Sequence, residues 1–373
     1  MSKIKLFDTI GNAVGNKWRE YKALDRRSKA RWWGEFLVKN AIYLIIIALI
    51  IYVEIDGASK GKKSLLAPAG IADILQRAGS AMFLALGVGG IIVLTGTDLS
   101  AGRIMGLTAC ISASLLQKPV AEYAWKMWPN LKAPPWIFVL LLVMAIGAAF
   151  GAFNGFFVAK FKLHPFIVTL GTQLILYGTV LWYLTLGNNG GNAVSGLTDT
   201  YKDVVKGRFS FVTQITGAAI PYYVYYAIIA IIIMWFVWNR TTLGKNMYAV
   251  GANPEAANVS GISVMATTIL IFTIAGCLYG FSGFIESAVT ASNTASTGLN
   301  AELNAIAACV IGGVSFTGGT GKISGIVIGV ILLQIVDIAL VRLGVSGEIT
   351  NMIKGAIILI AVAIDMRKYL TRK

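Results

Sequence analysis

The chain has 373 residues, 56% of them hydrophobic and only 13% charged, where soluble domains carry about 25% charged residues. Its formal net charge is +15 and its mean hydropathy is +0.72. Sustained apolar runs with short polar breaks exclude a soluble globular domain and predict an all-α polytopic membrane protein. No alternating ten-residue pattern of the kind a transmembrane β-barrel shows is present.

Residues 1–35 form a basic leader containing "NKWREYKALDRRSKARWW". Ten Lys and Arg against four Asp and Glu across residues 1–40 predict a cytoplasmic end. Trp32 and Trp33 stand where an interfacial anchor belongs, and a nucleic-acid arm is the weaker reading beside a membrane span. The leader is too long, polar and basic for a cleavable signal peptide. About ten spans are expected over residues 36–366. They run Phe36–Val53, Ser80–Thr95, Ile104–Leu116, Trp136–Val158, Phe166–Thr185, Tyr222–Trp238, Met265–Ile285, Ala305–Val314, Ile323–Leu340 and Ile349–Ile364. Several fall short of the roughly 20 residues that cross a bilayer, so broken or re-entrant helices are expected. An even count puts both termini in the cytoplasm, including the tail 367–373 with Arg367, Lys368, Arg372 and Lys373. The same parity puts Lys160–His164 and Asn239–Val264 inside, and the stretch "GNNGGNAVSGLTDTYKDVVKGRF" outside.

Gly147, Gly151 and Gly155 lie four apart, which places them on one helix face and allows close helix approach. A weak echo relates Ile92–Gly102 to Cys309–Gly319, each a Gly/Ser/Thr-rich interruption after an apolar run. Paired interruptions of this kind point to broken helices near a translocation path. Cys110, Cys277 and Cys309 sit inside apolar runs and read as packing residues, and His164 is the sole histidine. Neither a histidine-based metal centre nor a Ser/Cys–His catalytic pair is expected.

The stretch "IGGVSFTGGTGKISG" (311–325) imitates a phosphate-binding loop but fails its requirements. Ile323 follows Lys322 where a magnesium-binding hydroxyl is needed, and Phe316 stands where the pattern needs Gly. No cofactor is therefore expected in this chain.

The internal loop "NRTTLGKNMYAVGANPEAANVSGISV" is the most informative segment. A turn from Gly251 to Pro254 precedes "EAANVSG", which reads as a short helix closed by Gly261. Glu255 near its start suits the helix dipole, and Ala256 and Ala257 offer a close-contact surface for a cytoplasmic partner. A capped surface helix with no partner is the alternative.

Glu255-Ala256-Ala257, three residues, then Gly261 resembles the loop by which permease subunits of ATP-binding-cassette (ABC) importers engage their ATPase. Ile271 also falls at that motif's expected position, whereas Thr273-Ile274 stand where many importers carry Leu-Pro. From about residue 80 to 365 the chain resembles the ribose/galactose/xylose permease family. The resemblance rests on "GTDLSAGR", "GAFNGFFVAKFKLHPFIVTLGT", "TTLGKNMYAVGANPEAANVSGI", "ELNAIAACVIGGVSFTGGTGKISG" and "IKGAIILIAVAID". "TGTDLSAGR" and "NAIAACVIGGVSF" look most like the galactose/methyl-galactoside subgroup. Asn304 departs from that subgroup's usual Asp.

The resemblance implies a non-catalytic transport subunit of the bacterial cytoplasmic (inner) membrane, conducting a monosaccharide inward by alternating access. It implies three partners: an ATPase subunit that binds the ATP and magnesium, an external or periplasmic sugar-binding protein, and a second permease copy. A nucleoside, another sugar, or a secondary carrier needing no ATPase are the alternatives.

The pathway candidates are Asp98, Asn154, Gln173 and Asn304. Asp98 is either a costly charge beside a path or a cap, with Ser100, for the following helix. Asn154 hydrogen-bonds either a sugar or a neighbouring helix. Glu286 ends a span and is expected near its outer end. A sugar path needs donors and acceptors but few charges, and the scarcity of acids within the spans argues against a proton-coupled carrier.

Overall fold

A computed structural model gives the fold and describes residues 25–61, 64–122 and 125–370. The helices in chain order are α1 (Arg26–Ser59), α2 (Pro68–Val93), α3 (Ala101–Leu115), α4 (Trp136–Phe161), α5 (Pro165–Thr185), α6 (Asp199–Lys206) and α7 (Ser210–Thr216). They continue as α8 (Tyr222–Arg240), α9 (Thr242–Ala252), α10 (Pro254–Val259), α11 (Val264–Thr290), α12 (Ala301–Ile311), α13 (Ile323–Arg342) and α14 (Gly347–Leu370). Among the described residues there is no strand, only three isolated antiparallel bridges. The fold is all-α.

Each of the ten expected apolar runs falls mainly within a helix. Six helices, α2, α4, α5, α8, α11 and α13, are long and apolar enough to cross a membrane. The apolar helices α3 and α12 have 15 and 11 residues, short of the roughly 20 a full crossing needs. Length and composition thus give six crossing helices among the described residues, and they do not establish ten. The leader's residues from Arg26 onward already belong to α1, while residues 1–24 and the tail residues 371–373 lie outside the described residues. The chain divides by packing within α1, into Met1–Ala48 and Leu49–Lys373.

In the second unit α11 is the hub, packed most extensively on α4 and then on α3 and α2. Glycine makes the α4–α11 contact possible. A Cβ added at Gly147 meets the backbone of Gly276 and Gly280, and one at Gly151 meets that of Phe272 and Gly276. The four-residue spacing on α4 therefore does bring two backbones together. Helix α2 is the most enclosed of the crossing helices and packs on α8, α11, α12 and α13.

Contacts sort the loops into two ends. The link around Lys162–Pro165 shares a cavity with α10 and the start of α11. At the opposite end Gln117 bridges to Leu197 and Val194 bridges to Asn293. The two links that span parity put on one side, Lys160–His164 and Asn239–Val264, do share one end of the bundle.

The expected irregularity is present. After α11 the non-helical stretch 291–300 turns back along α3. Thr294 accepts from Cys110 (3.5 Å) and Ala295 accepts from Arg103 Nη1 (2.9 Å). Gly298 lies against Gly102. From Cys110 to Gly102 is about 12 Å at 1.5 Å per residue, so the stretch descends that far before α12 begins. Irregular backbone is tolerated at such depth where protein covers it.

Candidate functional site

At the end bearing α9 and α10, a short helical element is built from sequence-local rules. Pro254 occupies the first turn of α10, where its missing N–H costs nothing. Asn253 caps the helix, its Oδ1 accepting from the Ala256 N–H at 2.9 Å. Gly261 follows with φ +82 and open space around it, so a left-handed turn ends the element. Glu255 and Ala256 are exposed. Ala257 is 4% exposed and Val259 is 89% exposed. Ala257 is therefore turned into the fold, and the free surface is carried by Glu255, Ala256 and Val259. Of the two alanines, Ala256 lies on the exposed face and Ala257 does not. The Asn253 cap was missed, although Asn directly before a helix-opening Pro is a readable signal.

Helix α9 joins this element to the glycine-rich loop 312–322. The Gly319 N–H donates to the Val93 carbonyl at 2.9 Å, and Tyr248 Oη donates to the Gly321 carbonyl at 2.9 Å. A Cβ at Gly251 would strike Val93 and Gly319 backbone atoms. The glycines that imitate a phosphate loop instead let three chain segments touch. They also join the two interruptions that echo each other in sequence, one after α2 and one after α12.

Asp98 lies in the break between α2 and α3 and is fully buried. Its Oδ1 accepts from the Ser100 N–H (2.9 Å) and Ser100 Oγ (2.6 Å). Asn154 Nδ2 donates to Ser100 Oγ at 2.9 Å, and Thr172 Oγ1 donates to Asn154 Oδ1 at 2.6 Å. This chain of bonds ties the broken segment to α4 and α5. Asp98 thus takes up the N–H leading into α3, and Asn154 bonds neighbouring helices. Asp98 and Tyr279 are both fully buried, and their side chains face each other across the break. Arg103 is not ion-paired with Asp98 by any described contact; its guanidinium lies 4.5 Å over the Tyr177 ring.

Asn304 lies elsewhere, in a cavity of about 560 Å³ opening toward the end opposite α10. Helices α2, α8, α11, α12 and α13 all contribute to its lining. Asp73 and Arg77 are its exposed residues, and Gln76, Ser80, Glu286 and Gln334 supply further polar groups. Ser80 Oγ donates to Glu286 Oε2 at 2.8 Å, and Gln76 Nε2 donates to the Ala219 carbonyl at 3.1 Å. Leu84, Ala85, Ala305, Ala308 and Val330 make an apolar wall. Of the four pathway candidates only Asn304 lines this cavity. Gln173 is half-buried on α5 and lines neither this cavity nor the one beside α10. Sequence reasoning noted Glu286 but did not connect it with Gln76, Ser80 and Gln334, because the four residues come from three separated helices. The volume and mixed lining are those of a small-molecule site, typically about 300–1,000 Å³. Among the described residues no group of three or more His, Cys, Asp or Glu is placed to hold a metal ion.

Broken helices, a cavity entered from one end and a capped loop at the other define a polytopic membrane protein of the transporter class. The family model for the branched-chain amino acid transport system / permease component matches residues 70–362, and the chain belongs to that permease family. It is 38% identical over 351 residues to the galactose/methyl galactoside import permease protein MglC of Salmonella typhimurium, covering 94% of this chain and 99% of that protein. The corresponding Escherichia coli protein is 38% identical over 338 residues, covering 91% and 97%. The ribose import permease protein RbsC of Bacillus subtilis is 32% identical over 326 residues, covering 87% and 92%. No solved structure matches the chain.

Proposed function

We propose that the chain is the membrane-spanning subunit of an ABC importer for a monosaccharide of the galactose/methyl galactoside type. It makes and breaks no covalent bonds. An ATPase subunit binds ATP and docks on α10, an external binding protein delivers sugar at the opposite end, and a second copy of the chain completes the path. The location is the bacterial cytoplasmic membrane, with both termini and α10 inside. The names of the relatives that align over nearly the whole chain support the cargo class, and the lower identity to ribose permeases favours galactose over ribose.

One observation carries the mechanism. The coupling element is fastened through α9 and the glycine loop to Val93 at the end of α2, and to the α12–α13 connection. Those same helices, α2, α12 and α13, wall the cavity. A push on Val259 and Glu255 as the ATPase closes therefore moves cavity walls through backbone contacts, without a soft loop between. Glycine-to-glycine packing leaves little slack to absorb the stroke.

The test is uptake of labelled galactose into proteoliposomes containing the chain, its ATPase and its binding protein. Accumulation should require internal ATP. Accumulation that persists without the ATPase, or without ATP, would overturn the reading in favour of a secondary carrier.

A further inference from the structure

The cavity beside Asn304 has more chemistry than a passive conduit needs. Its polar groups are arranged on three separate walls. On α11, Glu286 is half-buried, and the one described hydrogen bond to its carboxyl comes from Ser80 Oγ. A carboxyl at this position, held on one oxygen and facing a cavity with the other, is costly unless a partner arrives. On α12 and α13, the side-chain amides of Asn304 and Gln334 line the cavity and make no hydrogen bond to another described residue. Each amide offers a carbonyl acceptor and two N–H donors. Between these walls lie Leu84, Ala85, Ala305 and Ala308, an apolar surface of small and medium side chains. The only cationic lining residue is Arg77, which is exposed and lies on the helix that also brings Asp73 to the lining.

A pyranose has the complementary surface, with hydroxyls around its edge that both donate and accept, and C–H groups on a ring face that want an apolar platform. The cavity is large enough for one small molecule of this kind with water. Its inner lining carries a carboxyl and no opposing cation. An anionic sugar would meet Glu286 without compensation, whereas a neutral sugar would offer it hydroxyl donors.

We infer that the permease itself recognises its cargo, through a chamber in each copy where Glu286, Asn304 and Gln334 bind the hydroxyls of a neutral monosaccharide over the Leu84/Ala85/Ala305/Ala308 surface. The inference rests on the monosaccharide-import reading above and goes beyond it, since import needs only a path. Ser80 is a positioning residue: its hydroxyl holds Oε2 of Glu286 and leaves Oε1 for the sugar.

The experiment is equilibrium binding of radiolabelled D-galactose to the purified permease–ATPase complex without binding protein, alongside uptake by the full system. The wild-type complex should bind galactose saturably, with unlabelled galactose competing and galacturonate not competing. Glu286→Ala, Asn304→Ala and Gln334→Ala should each weaken binding tenfold or more, while the ATPase co-purifies normally. The three changes sit on three different helices, so a folding failure in one leaves two tests standing. Glu286→Gln should retain part of the galactose affinity and admit galacturonate as a competitor. Saturable binding that none of the substitutions alters would put the site elsewhere and overturn the inference. No saturable binding by the complex, with uptake intact once binding protein is added, would also overturn it, yet would leave the import function standing. Failure of the wild-type system to take up galactose at all would instead strike the functional reading.

Discussion

Replacing Gly151 by Ala adds one methyl group where two helices touch backbone to backbone. The new Cβ would lie 2.9 Å from the Phe272 carbonyl carbon and 3.1 Å from Gly276 Cα, with the Phe272 oxygen closer still. All three atoms are backbone, so no side chain can rotate away. Helices α4 and α11 would have to separate, and with them the most extensive interhelical contact of the fold. Overpacking of this kind costs about 1–3 kcal/mol. Gly171 supplies the control, because it also lies within a helix but a Cβ there meets nothing within 4 Å. There the substitution removes a poor helix former and gains about 0.5–1 kcal/mol. The same chemical change should therefore act with opposite signs, separating the variants by about 1.5–4 kcal/mol, the combined span of those two effects. Thermal unfolding of the detergent-solubilised permease, followed by loss of the monodisperse peak, reads the difference. Gly151→Ala should melt several degrees below wild type and Gly171→Ala at or above it. Equal melting of the two would refute the argument that backbone contact, and not helix propensity, governs these positions.

On the coupling element, Val259→Arg should leave the permease folded and weaken co-purification of the ATPase about tenfold or more, as removal of an interface anchor typically does; undiminished co-purification would dismiss α10 as the docking site. Ala257→Trp should instead damage the permease's own fold, since Ala257 is 4% exposed, and is read by thermal unfolding before any ATPase is added. At the opposite end, hydrogen bonds from Lys118 and Lys202 hold the Asp199 carboxyl below its ordinary value, and the bond to Asp199 raises Lys118. The stabilisation from Asp199 is thus present above the ordinary Asp value of about 3.9 and is lost as pH falls through the lowered one; that from Lys118 persists until pH rises through a value above about 10.4. Amide exchange at Lys118 and Thr198, corrected for intrinsic rate, should stay protected across roughly pH 5–9. Protection should drop slightly in Asp199→Asn, the pair being surface-exposed, and identical exchange in both proteins would remove the ion pair from the account.

Where the sequence was legible, one physical signal dominated locally. The apolar runs predict the helices, the four-residue glycine spacing predicts the close face of α4, and the Gly251–Pro254 turn with the closing Gly261 predicts α10. The misses share a cause. The expected span began at Ser80, yet α2 starts at Pro68, and its first turns carry Asp73, Gln76 and Arg77. A later span was expected from Ala305, yet α12 starts at Ala301, with Asn304 in its first turn. All four polar residues line the cavity. Hydropathy marks a helix only where lipid or packed core surrounds it, so a helix turn facing a polar cavity reads as loop. The cavity itself needs α2, α11, α12 and α13 together, and no spacing in the chain announces that meeting. The inward turn of Ala257 was hidden for a similar reason, because small residues suit a partner's surface and a buried contact equally.

The polar groups at depth fall into two kinds. Asp98, Ser100, Asn154 and Thr172 are each at most 2% exposed and are joined into one chain of hydrogen bonds. Arg103 fastens the re-entrant stretch through Ala295, and Lys354 pairs with Asp337 at 2.9 Å between α13 and α14. These groups hold broken helices in place, because each answers a backbone or side-chain demand created by an interruption or a charge. Glu286, Asn304 and Gln334 answer no such demand beyond the Ser80 bond. In a bilayer, polar groups without a structural partner are expensive to retain. They are intelligible where something polar passes, and all three face the same cavity. A proton relay needs several ionisable groups in succession, whereas this lining offers one carboxyl inside and one Asp and one Arg as its exposed residues. Hydroxyl recognition needs only what is there: an acceptor, two amides and an apolar surface, on helices joined through the glycine loop to α9.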